Sequence, residues 1–178
     1  MINPHTHGRI KRKPIKRSQR AKIGSGRKKR KKSPLTLAKD KLWAVTRLLV
    51  FATYGRDCYT CPQKNLTGHN LQCGHVPWPS ADLSVTCRYD IRFLRPQCYN
   101  CNMNKGGMGA VALERMKSEG VNTYELRRIS ETTKGQPQPI SFFQEKTQEH
   151  RLQLKNITSA ISQAAYPQQQ LSSPIDTV

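Results

Sequence analysis

Two C-x-x-C pairs set far apart constrain this chain more than anything else in it: Cys58-Tyr-Thr-Cys61 and Cys98-Tyr-Asn-Cys101. Such a pair on a tight turn aims both sulfurs at one point. Two such turns brought together give the tetrahedral four-sulfur site that zinc accepts. Residues 62–97, between the inner cysteines, are too many for one small finger and enough for a β-hairpin carrying functional groups. His75 lies inside that stretch. The zinc is then a clamp, and the chemistry is expected beside it. The six cysteines could instead form three disulfides. The grouping of four of them into pairs, and a charged N-terminus with no apolar stretch behind it, favour a metal. Cys73 and Cys87 are left as reduced, partly buried small residues.

A small core of this kind commonly needs a staple. The chain has 178 residues, 35% of them hydrophobic, with the apolar ones gathered between Leu35 and Leu154. That is room for one domain with tails, which a structural metal would hold together. The charge bounds the partner. With 31 basic and 11 acidic residues the net charge is +20, which points to a polyanion, nucleic acid ahead of an anionic membrane surface. No apolar run is long enough to span a bilayer.

Residues 1–32 read as a basic arm, ending in Arg27, Lys28, Lys29, Arg30, Lys31 and Lys32 with no acidic residue to interrupt it. Charge this dense keeps a segment extended until it meets phosphates, and then adds salt-sensitive, sequence-independent affinity. Residues 33–57 read as a helix packing on the core, capped by Ser33 with Pro34 at its first position and ended by Gly55. Within a core over 58–120, short strands are expected at 70–76 and 86–93, a flexible glycine segment at 106–109 and a helix at 110–118. Residues 121–158 carry helices at 123–131 and 142–157, the second with a thin apolar stripe of Phe142, Phe143, Leu152 and Leu154. Its role is open between packing on the core and serving a partner. From 159 the tail reads as disordered. The fold class is α+β.

Phosphodiester cleavage needs a base to activate water, a divalent ion, and positive groups that hold the phosphate. His75 can be the base, and Asn102 offers a carbonyl oxygen suited to a hard cation such as Mg²⁺ or Mn²⁺. Arg88, Arg92, Arg95 and Lys105 are available for phosphate contacts. The bland alternative for His75 is a structural residue or a zinc ligand. For Trp78 it is a cap on the core edge rather than a stacking platform. His69 reads as part of a turn, and His5, His7 and His150 as surface residues.

Taken together, Cys58-x-x-Cys61, Cys73-Gly74-His75, Arg88-Tyr89-Asp90 and Gln97-Cys98-x-x-Cys101-Asn102, with Lys105 and Gly107, resemble the HNH (ββα-metal) endonuclease superfamily. More narrowly, they are similar to the phage NinG (Rap) recombination endonucleases, and the C-x-x-C-N ending resembles phage endonuclease VII. The match covers residues 42–120. It implies a ββα-metal core with Cys58, Cys61, Cys98 and Cys101 as structural zinc ligands, His75 as general base and Asn102 on a catalytic Mg²⁺ or Mn²⁺. It further implies cytoplasmic cleavage of branched or duplex DNA during phage recombination. Two positions depart from the pattern. Gly74 stands where many members have a metal-binding Asp, so the acidic ligand is sought at Asp90 or Asp82. Phe93 stands where the central Asn is expected. A homodimer is expected if two strands are cut symmetrically. The rival reading is a non-catalytic zinc module that grips DNA or RNA.

Overall fold

The computed structural model describes residues 31–165. Expectations for residues 1–30, including Arg27, Lys28, Lys29, Arg30, His5 and His7, and for the chain beyond 165 lie outside the described residues.

Helix α1 (Pro34–Tyr54) starts as its sequence dictates: the Ser33 hydroxyl accepts the Thr36 N–H at 3.2 Å, with Pro34 in the first turn. Gly55, at φ 79°, ends it by donating its N–H to Phe51. Leu42, Leu49 and Val50 are wholly buried, each burial contributing roughly 1.5–3 kcal/mol. Strand β1 (Leu71–His75) pairs antiparallel with β2 (Leu94–Cys98), from Leu71 opposite Cys98 to His75 opposite Leu94. Helices α2 (Gly109–Ser118), α3 (Thr123–Thr132) and α4 (Ile140–Ala165) follow. The described residues are thus a mixture of helices with one two-stranded sheet. No helix among the described residues is long and apolar enough to cross a membrane.

The period-two alternation of the hairpin decides what each face meets. Cys73, His75 and Leu94 turn toward α1, where Cys73 and Leu94 join Val50, Trp43 and Phe51 in one apolar cluster. Gly74 and Gln97 fall on the opposite face, toward the turn that follows β2. A second cluster gathers Val76, Leu83, Cys87, Phe93, Ala112, Met116 and Leu126, tying the inter-strand loop to α2 and α3.

Several expectations change. The second strand lies at Leu94–Cys98, not 86–93, which instead forms tight 3₁₀ turns at Cys87–Tyr89 and Ile91–Phe93. Asp90 caps the second of these by accepting the Arg92 N–H. Pro96 is tolerated within a strand because both strands of a two-stranded sheet are edges. The 106–109 segment is packed rather than a free linker. Gly107 is buried at φ 80°, and Gly109 lies so close to Pro77 O that a Cβ would strike it.

Helix α4 continues to Ala165, beyond the expected end at 157. It packs on α1 through Phe143, Thr147 and His150, at i, i+4 and i+7 spacing. Leu152 is 61% exposed and is not part of that face. His150 is therefore no surface residue. It is buried, with Nδ1 3.0 Å from Thr46 Oγ1. The Thr46 hydrogen goes to Leu42 O at 2.8 Å, so His150 must donate its Nδ1–H to the threonine oxygen.

Candidate active site and metal centre

The two C-x-x-C turns are brought together by the hairpin, because Cys98 closes β2 while Tyr59, between the first pair, donates its N–H to Pro96 O at 2.8 Å. The sulfurs of Cys58, Cys61, Cys98 and Cys101 all lie within 4.8 Å of one another, and Cys61 and Cys98 are 3.8 Å apart. A tetrahedron with metal–sulfur bonds of about 2.3 Å has edges of about 3.8 Å, so the four thiols could hold one metal ion. Backbone N–H groups already point at them, Cys98 N–H at Cys58 Sγ (3.2 Å) and Cys101 N–H at Cys98 Sγ (3.4 Å).

Burial opposes ionisation of Cys58, but the hydrogen bonds it accepts outweigh burial and bring its thiol down to about 6. Burial pushes Cys101 up to about 12. Burial raises Cys61 as well, so one sulfur is prepared as a thiolate while a bound cation would have to favour ionisation of Cys61 and Cys101. No disulfide joins the cysteines, and Cys73 and Cys87 are buried away from this cluster.

Beside the cluster, His75 and Asn102 line one shallow pocket of about 210 Å³, with Pro79, Ser80, Gly106 and Gly107. His75 arrives on the last residue of β1. Asn102 arrives on the single π-helical turn Asn100–Asn104 that follows Cys98. Two contacts hold the imidazole. Its Nε2 lies 3.1 Å from Arg88 O, and its ring stacks on Trp43 with centroids 5.5 Å apart. A carbonyl can only accept, so Nε2 carries the hydrogen and Nδ1 keeps the lone pair. Burial holds the His75 pKa below the usual histidine value, against the upward pull of the Arg88 carbonyl. The ring is therefore neutral at neutral pH, as a base must be.

The cysteine cluster and the pocket are linked. Thr60 Oγ1 lies 3.7 Å from Cys58 Sγ and accepts a hydrogen bond from Gln97 Nε2 at 3.0 Å. The other Nε2 hydrogen goes to Gly107 O at 2.7 Å. Gly74 is needed for this arrangement. A Cβ there would collide with Gln97 Oε1, lying 2.7 Å from Gln97 Cδ and 3.0 Å from Asn102 Oδ1. A side chain at position 74 would therefore require Gln97 to move.

The remaining expected residues divide. Lys105 is exposed next to the pocket, and Arg88 is half-buried with its Nε on Leu83 O. Lys31 and Lys32, the described part of the basic arm, are exposed. Arg95 is corrected: it is 5% exposed, its guanidinium stacked 4.0 Å from the Tyr54 ring centroid and donating to Leu94 O. It holds the fold and is not presented to phosphate. Asp90 is corrected too. Arg92 engages both of its oxygens, and it borders a different pocket with Lys146, Glu149 and His150. Arg92 is exposed but committed to that pair. Asp82 is exposed and does not line the His75 pocket. Trp78 packs at the core edge against Phe93, with Arg127 over it. His69 sits in the turn Gly68–Asn70 against Tyr99.

Neither Trp43, within the helix expected over 33–57, nor Thr60, nor the amide of Gln97 stands out from the sequence as part of a site. Spacing carries no signal that would pair Trp43 with His75. Gln97 was discoverable only as the residue flanking Cys98. Compared with protein-family models, with curated proteins and with solved structures, the chain matches none.

Proposed function

We propose that the protein is a metal-dependent DNA endonuclease of the HNH (ββα-metal) type, similar to the NinG-like phage recombination nucleases. Zinc would occupy the four-cysteine site as a structural clamp. What supports the reading most is one arrangement: a neutral histidine with its Nδ1 lone pair bare, in the same pocket as an asparagine, beside a cluster fit for a metal. In this reading His75 Nδ1 takes the proton from the attacking water. Trp43 and Arg88 O keep the ring aimed, and Lys105 and Arg88 meet neighbouring phosphates. A bound Mg²⁺ or Mn²⁺, with Asn102 among its ligands, would neutralise charge developing on the scissile phosphate. The net charge of +20 suits a DNA partner, and the working site would be the cytoplasm of a host cell, at branched or duplex DNA.

The test is cleavage of a labelled four-way junction beside matched linear duplex, with and without Mg²⁺, for wild type and His75→Ala. Both proteins should first show equal zinc content and equal binding. Wild-type cleavage that falls by roughly 10²–10⁴ in the variant supports the reading. Binding by both with no cleavage in Mg²⁺ or Mn²⁺ replaces it with a zinc-clamped module that only grips nucleic acid.

A further inference from the structure

Gln97 carries an oxygen with nowhere to go. Its side chain is wholly buried, and Oε1 is the one buried side-chain polar atom among the described residues with no hydrogen-bond partner. The amide cannot turn over to escape this, because both Nε2 hydrogens are already given to Thr60 and Gly107. A buried carbonyl oxygen left unpaired is destabilising. Oε1 itself sits directly above Gly74, and Asn102 Oδ1 arrives beside it. Both oxygens lie within 3.0 Å of the point a Gly74 Cβ would occupy. Two acceptors converging on one place call for a donor or a cation.

We propose that Gln97 Oε1 is, with Asn102 Oδ1, a ligand of a hard divalent cation held beside Gly74. Neutral amide oxygens suit Mg²⁺ or Mn²⁺ in kind, but they bring no charge to the first shell. Neither Asp82 nor Asp90 lines the pocket to supply it. The site is therefore completed by its substrate: a phosphate oxygen provides the negative ligand, and the cation and DNA bind cooperatively. By linkage each raises the affinity of the other by the same factor. The inference rests on the proposed nuclease reading for its substrate, but its central claim concerns where a cation binds.

The experiment uses the full chain with the cysteine site loaded with zinc, and Mn²⁺ as the probe. In ¹⁵N spectra the Gln97 and Asn102 side-chain amides should broaden first as Mn²⁺ is added. Electron paramagnetic resonance then measures free Mn²⁺ with and without a duplex, using His75→Ala so the DNA stays intact and a DNA-alone control. The affinity should tighten by roughly tenfold or more when DNA is present. Asn102→Asp, which restores a carboxylate, should tighten Mn²⁺ without DNA and shrink that factor.

Broadening centred on Asp82 or Asp90, or no broadening at Gln97 while Mn²⁺ supports cleavage, overturns the ligand assignment and leaves the nuclease reading standing. The same holds if Oε1 proves to be satisfied by a water or by a turned Asn102 amide alone. Mn²⁺ at both amides with no cleavage of any DNA supports the site and removes the nuclease. Equal affinity with and without DNA overturns the substrate-completed site.

Discussion

The indole of Trp43 lies flat against the imidazole of His75, their planes 4° apart. Helix α1 thus reaches across the hairpin to hold the imidazole in one orientation. A stacked aromatic pair contributes about 0.5–1.5 kcal/mol beyond its burial, here spent on orientation as well as stability. Trp43→Leu should lower kcat by about tenfold with KM for DNA nearly unchanged, and Trp43→Phe should recover most of the loss. Steady-state cleavage of both variants, after matching their zinc content, reads the difference; a change confined to KM would mean that Trp43 contacts DNA instead.

Placing a carboxylate before the histidine should be destabilising. Gly74→Asp drives a Cβ into a side chain fixed at both Nε2 hydrogens, and overpacking of this kind costs about 1–3 kcal/mol or more. The double variant Gly74→Asp/Gln97→Ala opens the needed space and should be more stable than Gly74→Asp alone. Chemical denaturation of the two single variants and the double gives the coupling directly, and additive costs would refute the collision.

Metal removal should unfold the molecule unevenly. The cluster of Cys58, Leu66, Leu71, Cys98 and Cys101 depends on the four thiols, whereas Ala38, Leu42 and Phe143 pack between α1 and α4 without them. Chelation, or Cys98→Ser, should strip hydrogen-exchange protection from β1, β2 and the turn around Asn102. The protected amides facing the α1–α4 contact should persist longer. Loss of both together would show one cooperative unit.

Acid should loosen the α1–α4 contact through His150. Burial lowers its pKa in the folded state, with Lys146 acting in the same direction and Glu149 and Asp90 against it. As pH falls through about 6.5 the unfolded chain takes up the proton first, so stability is lost on acidification and full only above that value. Arg92 and Gln153 also border the site, but neither gains or loses a proton in this range. His150→Gln should therefore show a smaller fall in Tm between pH 7.5 and 5.5 than wild type. Equal falls would place the titration elsewhere.

What could be read from the residues was what is local. The Ser33–Pro34 start and Gly55 stop of α1 follow from capping chemistry a few residues long, and the four cysteines announce their grouping by spacing. The second strand did not, because Pro96 reads as a breaker until its partner strand is known. The buried face of α4 was hidden for a related reason. Thr147 and His150 look like solvent-facing residues, and only Thr46, on another helix, makes the burial of His150 affordable in hydrogen bonds. Arg95 shows the same gap. A basic residue beside a nucleic-acid motif suggests phosphate, and nothing nearby in sequence reveals that Tyr54 covers it. Of the pocket, His75 and Asn102 were legible from the motif, while Gln97 became visible only through the atoms around it.

The pairing of Leu71 with Cys98 has one more consequence. Cys98 is at once the last residue of β2 and a member of the sulfur cluster, and Gln97 beside it must face Gly74. A slip of one residue would send Gln97 to the other face and pull Cys98 out of line with the remaining thiols. A mispaired hairpin could then not take up the metal. Metallation would in this way proofread the fold, so that a molecule carrying its ion has already put its pocket together correctly.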